Sequence, residues 1–342
     1  MRFRVSHTTE YVYGSPVSLC HTIAHLKPRQ TDHQRCIKSQ VRVSPWPSVS
    51  REHTDIFGNR VSYFSIQQSH AALAVSAVSE VEITAPEALD DAASPPWEEV
   101  RARLHAARQA DAIHARMFAV PSPAIPTEPA AMDYALASFT PGRPVLEAAR
   151  ELMARIYAEF DYDPTATGVA TPIAEVLAKR RGVCQDFAHV GIACLRALGL
   201  AARYVSGYLE TLPPPGQPKL RGADASHAWY ALYLPPSPSM AGVAGPLENT
   251  TIASALTPSS ADHASGATEL SGTWIDYDPT NDCLLGEQHV TTAVGRDYGD
   301  VTPVRGVFYG GGEHQLSVAV DVDRLDEGTP IGISSALTST RA

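Results

Sequence analysis

Cys184, His227 and Asp278 are the side chains whose types and order in this chain suit nucleophilic acyl chemistry. A thiolate attacks a carbonyl. An imidazole keeps the sulfur charged and later protonates the leaving amine, while a carboxylate fixes the ring's tautomer and stabilises the imidazolium. Thirteen histidines allow many Cys/His/Asp combinations, so the weight falls on where local elements put each side chain. A cysteine beside an apolar helix is ordinarily a small core residue, and Cys194 is read as one.

The stretch GVCQDFAHVGIACLRALGL, residues 182–200, positions the nucleophile. Phe187, Val190, Gly191, Cys194, Leu195 and Leu198 recur at helical spacing, and Gly199 is a stop signal. Cys184 then falls in the first turn of a helix, where unpaired N–H groups and the positive end of the dipole favour the thiolate. The same N–H groups could hold a tetrahedral oxyanion. Asp186 is expected to serve the helix start. His189, five residues beyond Cys184, points to another side of the helix and is not taken as the base. SHAWYALYL, residues 226–234, reads as a strand with His227, Trp229, Ala231 and Tyr233 on one face and His227 at its start. In TWIDYDPTND, Trp274, Asp276 and Asp278 share a face and Pro279 ends the strand, so Asp278 stands at the strand's end. Asp276 faces the same way and is the alternative orienter. Trp229 and Trp274 are read as core or groove wall, and Arg203, Arg296 and Asp297 as an internal ion network without catalysis.

Residues 1–85 read as strands and turns, with Gly58-Asn59 as a hairpin turn. Their histidines, His7, His21, His25, His53 and His70, lack metal-site spacing and are expected at surfaces or turns. Residues 86–142 form a helical and proline-rich connector in which residues 97–118 are rich in helix formers. Residues 143–325 hold the core: an amphipathic helix over 143–160 packs under the cysteine helix, and antiparallel strands follow. The tail from residue 289 is expected to complete that sheet. Residues 235–272, rich in Pro, Ser, Ala and Thr, are expected to be a largely disordered insertion.

A chain 44% hydrophobic and 19% charged has the composition of a soluble globular protein, long enough for two moderate cores. Its formal charge of −10 and its lack of a basic run disfavour nucleic acid and anionic membranes as partners. The opening residues run straight into a strand pattern without an apolar signal core, which suggests a cytoplasmic protein. Five cysteines without a CxxC pair argue against a disulfide framework and a zinc-cysteine site.

GVCQDFAH, ARYVSGY, SHAWYALYLP and WIDYDPTN, in this order, resemble the transglutaminase-like core in its bacterial, cysteine-protease-related branch. The first domain, with SHTTEYVYGSPV, PRQT and FGNRV, resembles the β-rich region that precedes this core in bacterial members, and GRDYGDVTPVRGVFYGGG is similar to their C-terminal segment. The resemblance implies an α+β, papain-like fold behind an all-β N-terminal domain. It also implies a nucleophile at Cys184, its histidine at His227 and its aspartate at Asp278 rather than Asp276. The insertion over 235–272 departs from the pattern without removing a matched residue.

These readings describe a cofactor-independent cysteine enzyme acting on a protein or peptide. Transfer of the acyl group to an amine gives transglutamination, and transfer to water gives proteolysis or deamidation; the residues leave both open, along with oligomeric state. No calcium loop is visible, so no metal is expected. A non-catalytic binding module is the rival from another class, and a Cys/His metal protein lacks the ligand spacing.

Overall fold

The computed structural model describes residues 1–211, 222, 226–236 and 271–325. The first five strands are β1 (Arg2–Ala24), β2 (Gln34–Ser44), β3 (Val49–Thr54), β4 (Arg60–Ile66) and β5 (His70–Ile83). Helices α1 (Trp97–Ala106), α2 (Ala110–Ala115), α3 (Pro129–Leu136) and α4 (Val145–Glu159) follow. Next come β6 (Asp161–Tyr162), α5 (Ile173–Lys179), β7 (Arg181–Gly182), α6 (Cys184–Ala197), β8 (Ala202–Leu209), β9 (Ser226–Leu234), β10 (Thr273–Asp278) and β11 (Cys283–Leu284). The chain closes with β12 (His289–Gly295), α7 (Tyr298–Val301), β13 (Val304–Gly310) and β14 (His314–Arg324). This is the α+β arrangement expected, a β-rich N-terminal region ahead of a helix-on-sheet core. The expected insertion lies, over 237–270, outside the described residues.

β1 organises a seven-stranded sheet. Its first half alternates in burial, with Phe3, Val5, His7 and Thr9 inward, as a half-buried strand must. That half pairs with β5 and β14, whereas Val17 to Ala24 pairs with β4 and β13. The tail therefore divides. β12 joins the core sheet, while β13 and β14 return to β1, contrary to the expectation that the whole tail completes the core. Period-two patterns identify strands but do not name their neighbours. Three of the histidines expected at surfaces are buried. His7 bonds Thr9 and Tyr208, His25 bonds the Thr302 carbonyl, and His70 bonds the Gln68 carbonyl.

The core sheet runs β11-β10-β9-β8-β12, all neighbours antiparallel. α6 lies on β9 and β8, with α3, α4 and α5 around it. Gly191 permits this approach: a Cβ there would stand 2.3 Å from the Tyr230 ring. The run of helix formers over 97–118 is broken at 107–109. The Arg116 guanidinium bonds the carbonyls of Leu104 and His105 at 2.9 Å each, and that of Ala107, capping α1 from the next helix. Leu104, Ala112, Ala115 and Phe118 thereby reach one cluster with Trp229. α3, within the expected connector, has Pro129 at its first position and Glu128 accepting from the Ala130 N–H at 3.2 Å.

The N-terminal region docks on the outer edge of β12 through side-chain amides that imitate a strand. Asn59 donates to the Val294 carbonyl and accepts from the Val294 N–H, both at 2.8 Å. Gln34 does the same at Thr291, at 2.7 and 2.8 Å. These amides satisfy groups on the β12 edge, and the Arg29 N–H also donates to the Thr291 carbonyl at 3.1 Å.

Candidate active site

Cys184 opens α6 because the residues before it reverse the chain. Arg180 ends α5 in the left-handed region (φ 50°), and β7 then runs beside β6 into the helix. Asp186 reaches back to accept from the Val183 N–H at 2.9 Å and from the Thr167 hydroxyl at 2.6 Å. A Cβ on Gly182 would meet Asp186 Oδ2 at 2.5 Å, so this wrap requires glycine. Asp186 thus fixes the helix start, as expected of it. The first-turn N–H groups, those of Cys184 and Gln185 among them, lack intrahelical acceptors by geometry. The Cys184 side chain is partly exposed, whereas Cys194 is fully buried and its thiol is pushed up to about 12 by that burial.

His227 and Asp278 meet by register. Tyr277 on β10 opposes Tyr230 on β9, so Asp278 lies opposite Trp229, and His227 is its diagonal neighbour on the same face. His227 Nε2 and Asp278 Oδ2 are 2.7 Å apart. Cys184 stands near enough to the His227 ring for its charge to act on it; with Nε2 turned to Asp278, Nδ1 is the nitrogen left to face the sulfur. Burial opposes charge on this ring, but the bonds and charges of Asp278 and Cys184 outweigh burial and raise the imidazole to about 9. Burial likewise opposes charge on Asp278, yet hydrogen bonds from His227, His289 and Asn281 hold its carboxyl well below the usual range. The structure therefore puts His227 and Asp278 in contact and sets Cys184 where its charge reaches the same ring.

Asp276 has another partner set. It accepts from Trp229 Nε1 at 2.8 Å, and the charge of Arg203, whose guanidinium stacks over Trp274 at 4.2 Å, acts on it. The internal ion network expected of Arg203, Arg296 and Asp297 is arranged differently. Arg296 pairs with Asp300 at 2.8 Å, and Asp297 caps α7 by accepting from the Gly299 N–H. His189 is buried and pushed down to about 4 by that burial. Its Nε2 accepts from the Tyr298 N–H, so it serves the fold.

Residues not anticipated from sequence complete the site. Asn281 donates to Asp278 Oδ2 at 2.7 Å, and the Thr280 N–H donates to Oδ1 at 3.0 Å. The DPTN string contains both, and a turn after a strand-ending aspartate is the signal that could have found them. His289 Nε2 lies 3.2 Å from Asp278 Oδ2; no spacing links it to the other residues. Burial first, and then the charge of Cys184, pushes the hydroxyls of Tyr162, Tyr204 and Tyr298 up. Among the described residues, His227, Asp278 and His289 put one potential ligand atom each within 4.8 Å.

Two family profiles match the chain: the bacterial transglutaminase-like N-terminal region over residues 3–82 and the transglutaminase-like superfamily over residues 135–240. An uncharacterized protein of Mycobacterium tuberculosis is 36% identical over 325 residues, covering 94% of this chain and 92% of its own length. One from Mycobacterium leprae is 31% identical over 329 residues, covering 95% and 99%. In fold, the chain is similar to a crystal structure from Cytophaga hutchinsonii, provisionally assigned to the cysteine proteases. The TM-score is 0.66 at 20% identity, over 98% of this chain and 94% of that one.

Proposed function

Because this chain belongs to the transglutaminase-like superfamily, with the bacterial N-terminal region ahead of the core, we propose that it is a cysteine enzyme forming a thioester on Cys184. The acyl donor is a glutamine carboxamide or a peptide bond in a protein or peptide. The observation that carries this is the pairing of His227 with Asp278 at 2.7 Å, beside the cysteine that opens α6.

The thiolate adds to the carbonyl carbon, and the first-turn N–H groups of α6 receive the developing oxyanion. Collapse breaks the C–N bond, and the amine departs with the proton of the His227 imidazolium. Neutral His227 then takes a proton from an incoming amine or water, whose attack on the thioester returns the thiolate and the imidazolium. An amine acceptor completes a transamidation and water a hydrolysis. Asp278 keeps the positive charge on the ring through both halves.

The experiment is incubation of wild-type protein and Cys184→Ala with a glutamine-containing peptide pool, with and without a labelled primary amine, followed by mass spectrometry. Amine incorporation lost in the variant supports acyl transfer. Cleavage or deamidation lost in the variant, and insensitive to amine, supports hydrolysis. Identical products from both proteins would contradict the reading and favour a binding module.

A further inference from the structure

His289 reaches Asp278 from the far side of the core sheet. β11 pairs with β10 at one edge, and β12 is the strand at the opposite edge, so residues 285–288 carry the chain across the ends of β9 and β8. The crossing segment is tied at both ends: the Leu285 N–H donates to the Asp276 carbonyl at 3.3 Å, and the Glu210 N–H donates to the Gln288 carbonyl at 3.1 Å. It delivers a histidine that is 5% exposed and packed edge-on against Trp229, ring centres 5.3 Å apart.

The hydrogen bonds specify its tautomer. The Gly286 N–H donates to His289 Nδ1 at 3.2 Å, so Nδ1 is an acceptor and the proton sits on Nε2. Nε2–H points at Asp278 Oδ2, 3.2 Å away. An ionised carboxylate only accepts, so the three side-chain contacts at Oδ2, from His227, Asn281 and His289, are three donors on one oxygen. The other titratable groups facing this cluster are Cys184 on α6, Asp276 on β10, Tyr230 on β9 and Cys283 on β11.

We propose that His289 is a positioning residue for the proposed nucleophile: fixed as the Nε2–H tautomer by Gly286, it holds the Asp278 carboxylate ionised and aimed at His227. The proposal rests on the reading of Cys184 as the nucleophile. A donor on Oδ2 lowers the carboxylate's affinity for a proton, so the proton shared with His227 stays on the imidazole. Without that donor the proton shifts toward the carboxylate, the imidazolium is less populated, and the thiolate beside it is less favoured.

The test compares wild type, His289→Leu and His289→Gln by the rate of Cys184 alkylation by iodoacetamide at about pH 6, well below the free-thiol range. Labelled histidine nitrogens report the tautomer by NMR. Leucine keeps the bulk and removes the donor; glutamine places an amide N–H near Nε2. The loss of one carboxylate donor, on the order of one pKa unit, predicts a rate about ten-fold lower in the leucine variant. The glutamine variant should stay within about three-fold of wild type, a fraction of that unit. The wild-type spectrum should show one histidine fixed as Nε2–H that disappears in both variants. Equal alkylation of wild type and the leucine variant, or a His289 signal of the Nδ1–H form, would overturn the role of His289 alone. If the leucine variant does not fold, a glutamine variant as slow as His227→Ala would overturn it too. Wild-type Cys184 no faster than the other thiols would instead overturn the nucleophile reading on which it rests.

Discussion

At Asp278, one oxygen collects three side-chain donors and the other a backbone N–H, which is why a carboxyl only 1% exposed stays charged. Its charge in turn sustains the imidazolium of His227. Since the folded-state imidazole is raised to about 9, above its ordinary value, the stability contributed by the pairing is fully present below the ordinary histidine range. It is lost as pH rises through about 9. The melting-temperature gap between wild type and Asp278→Asn should therefore be widest near pH 6, below the unfolded histidine's pKa of about 6.5, and close above about 9. A gap that grows with pH would contradict the assignment. The asparagine variant should also alkylate Cys184 more slowly by a factor of about ten or more, one pKa unit or beyond, near neutral pH. The helix start at Cys184, the strand start at His227 and the strand end at Asp278 were legible as local patterns, whereas the choice of Asp278 over Asp276 came from the family resemblance. His289 was not legible, because its approach depends on a chain crossing that periodicity does not encode.

Two neighbouring carboxylates on β10 show how an element divides labour. Asp276 and Asp278 share a face, yet register sends Asp278 toward His227, while Asp276 accepts from Trp229 and feels the charge of Arg203. Asp276→Leu leaves the Trp229 indole N–H, which donates to Asp276 at 2.8 Å, without its acceptor, at about 1–3 kcal/mol for a buried donor. Chemical denaturation should show a loss of that size while the remaining folded protein keeps its Cys184 alkylation rate. A slowed rate at undiminished stability would make Asp276 the orienter. On α6, Gly191→Ala drives a methyl to 2.3 Å from Tyr230, an overpacking worth roughly 1–3 kcal/mol. Because the collision lifts α6 off β9, both stability and Cys184 reactivity should fall together. The helix itself was readable from its apolar stripe, whereas the break at 107–109 was not. Helix propensity favours continuity there, and the Arg116 cap that rewards the break is a tertiary contact.

Over the whole molecule, the N-terminal region is stitched to the core through Asn59 and Gln34 on β12 and through His7 on Tyr208. β12 is the strand that brings His289 to the site, so this docking supports the chemistry from outside it. Asn59→Ala leaves the Val294 N–H and carbonyl without these partners, at about 1–3 kcal/mol for a buried group. Hydrogen exchange at Val294 should accelerate ahead of global unfolding; unchanged protection would show that the amide pair is incidental. The alternation of β1 and the Gly58-Asn59 turn were plain in the sequence. Asn59 as a bridge, the buried histidines and the return of β13 and β14 to β1 were not, since each depends on a partner more than two hundred residues away for Asn59, His7, His25 and the tail strands.

Competitive alkylation of all five cysteines at about pH 6, more than two units below the free-thiol pKa of about 8.5, tests the nucleophile most directly when read by mass spectrometry in wild type and His227→Ala. Cys184 should label far ahead of Cys20, Cys36, Cys194 and Cys283 in wild type, and lose that lead in the variant. Labelling of Cys184 at the pace of the other four, or unchanged in His227→Ala, would contradict a thiolate sustained by His227 and Asp278.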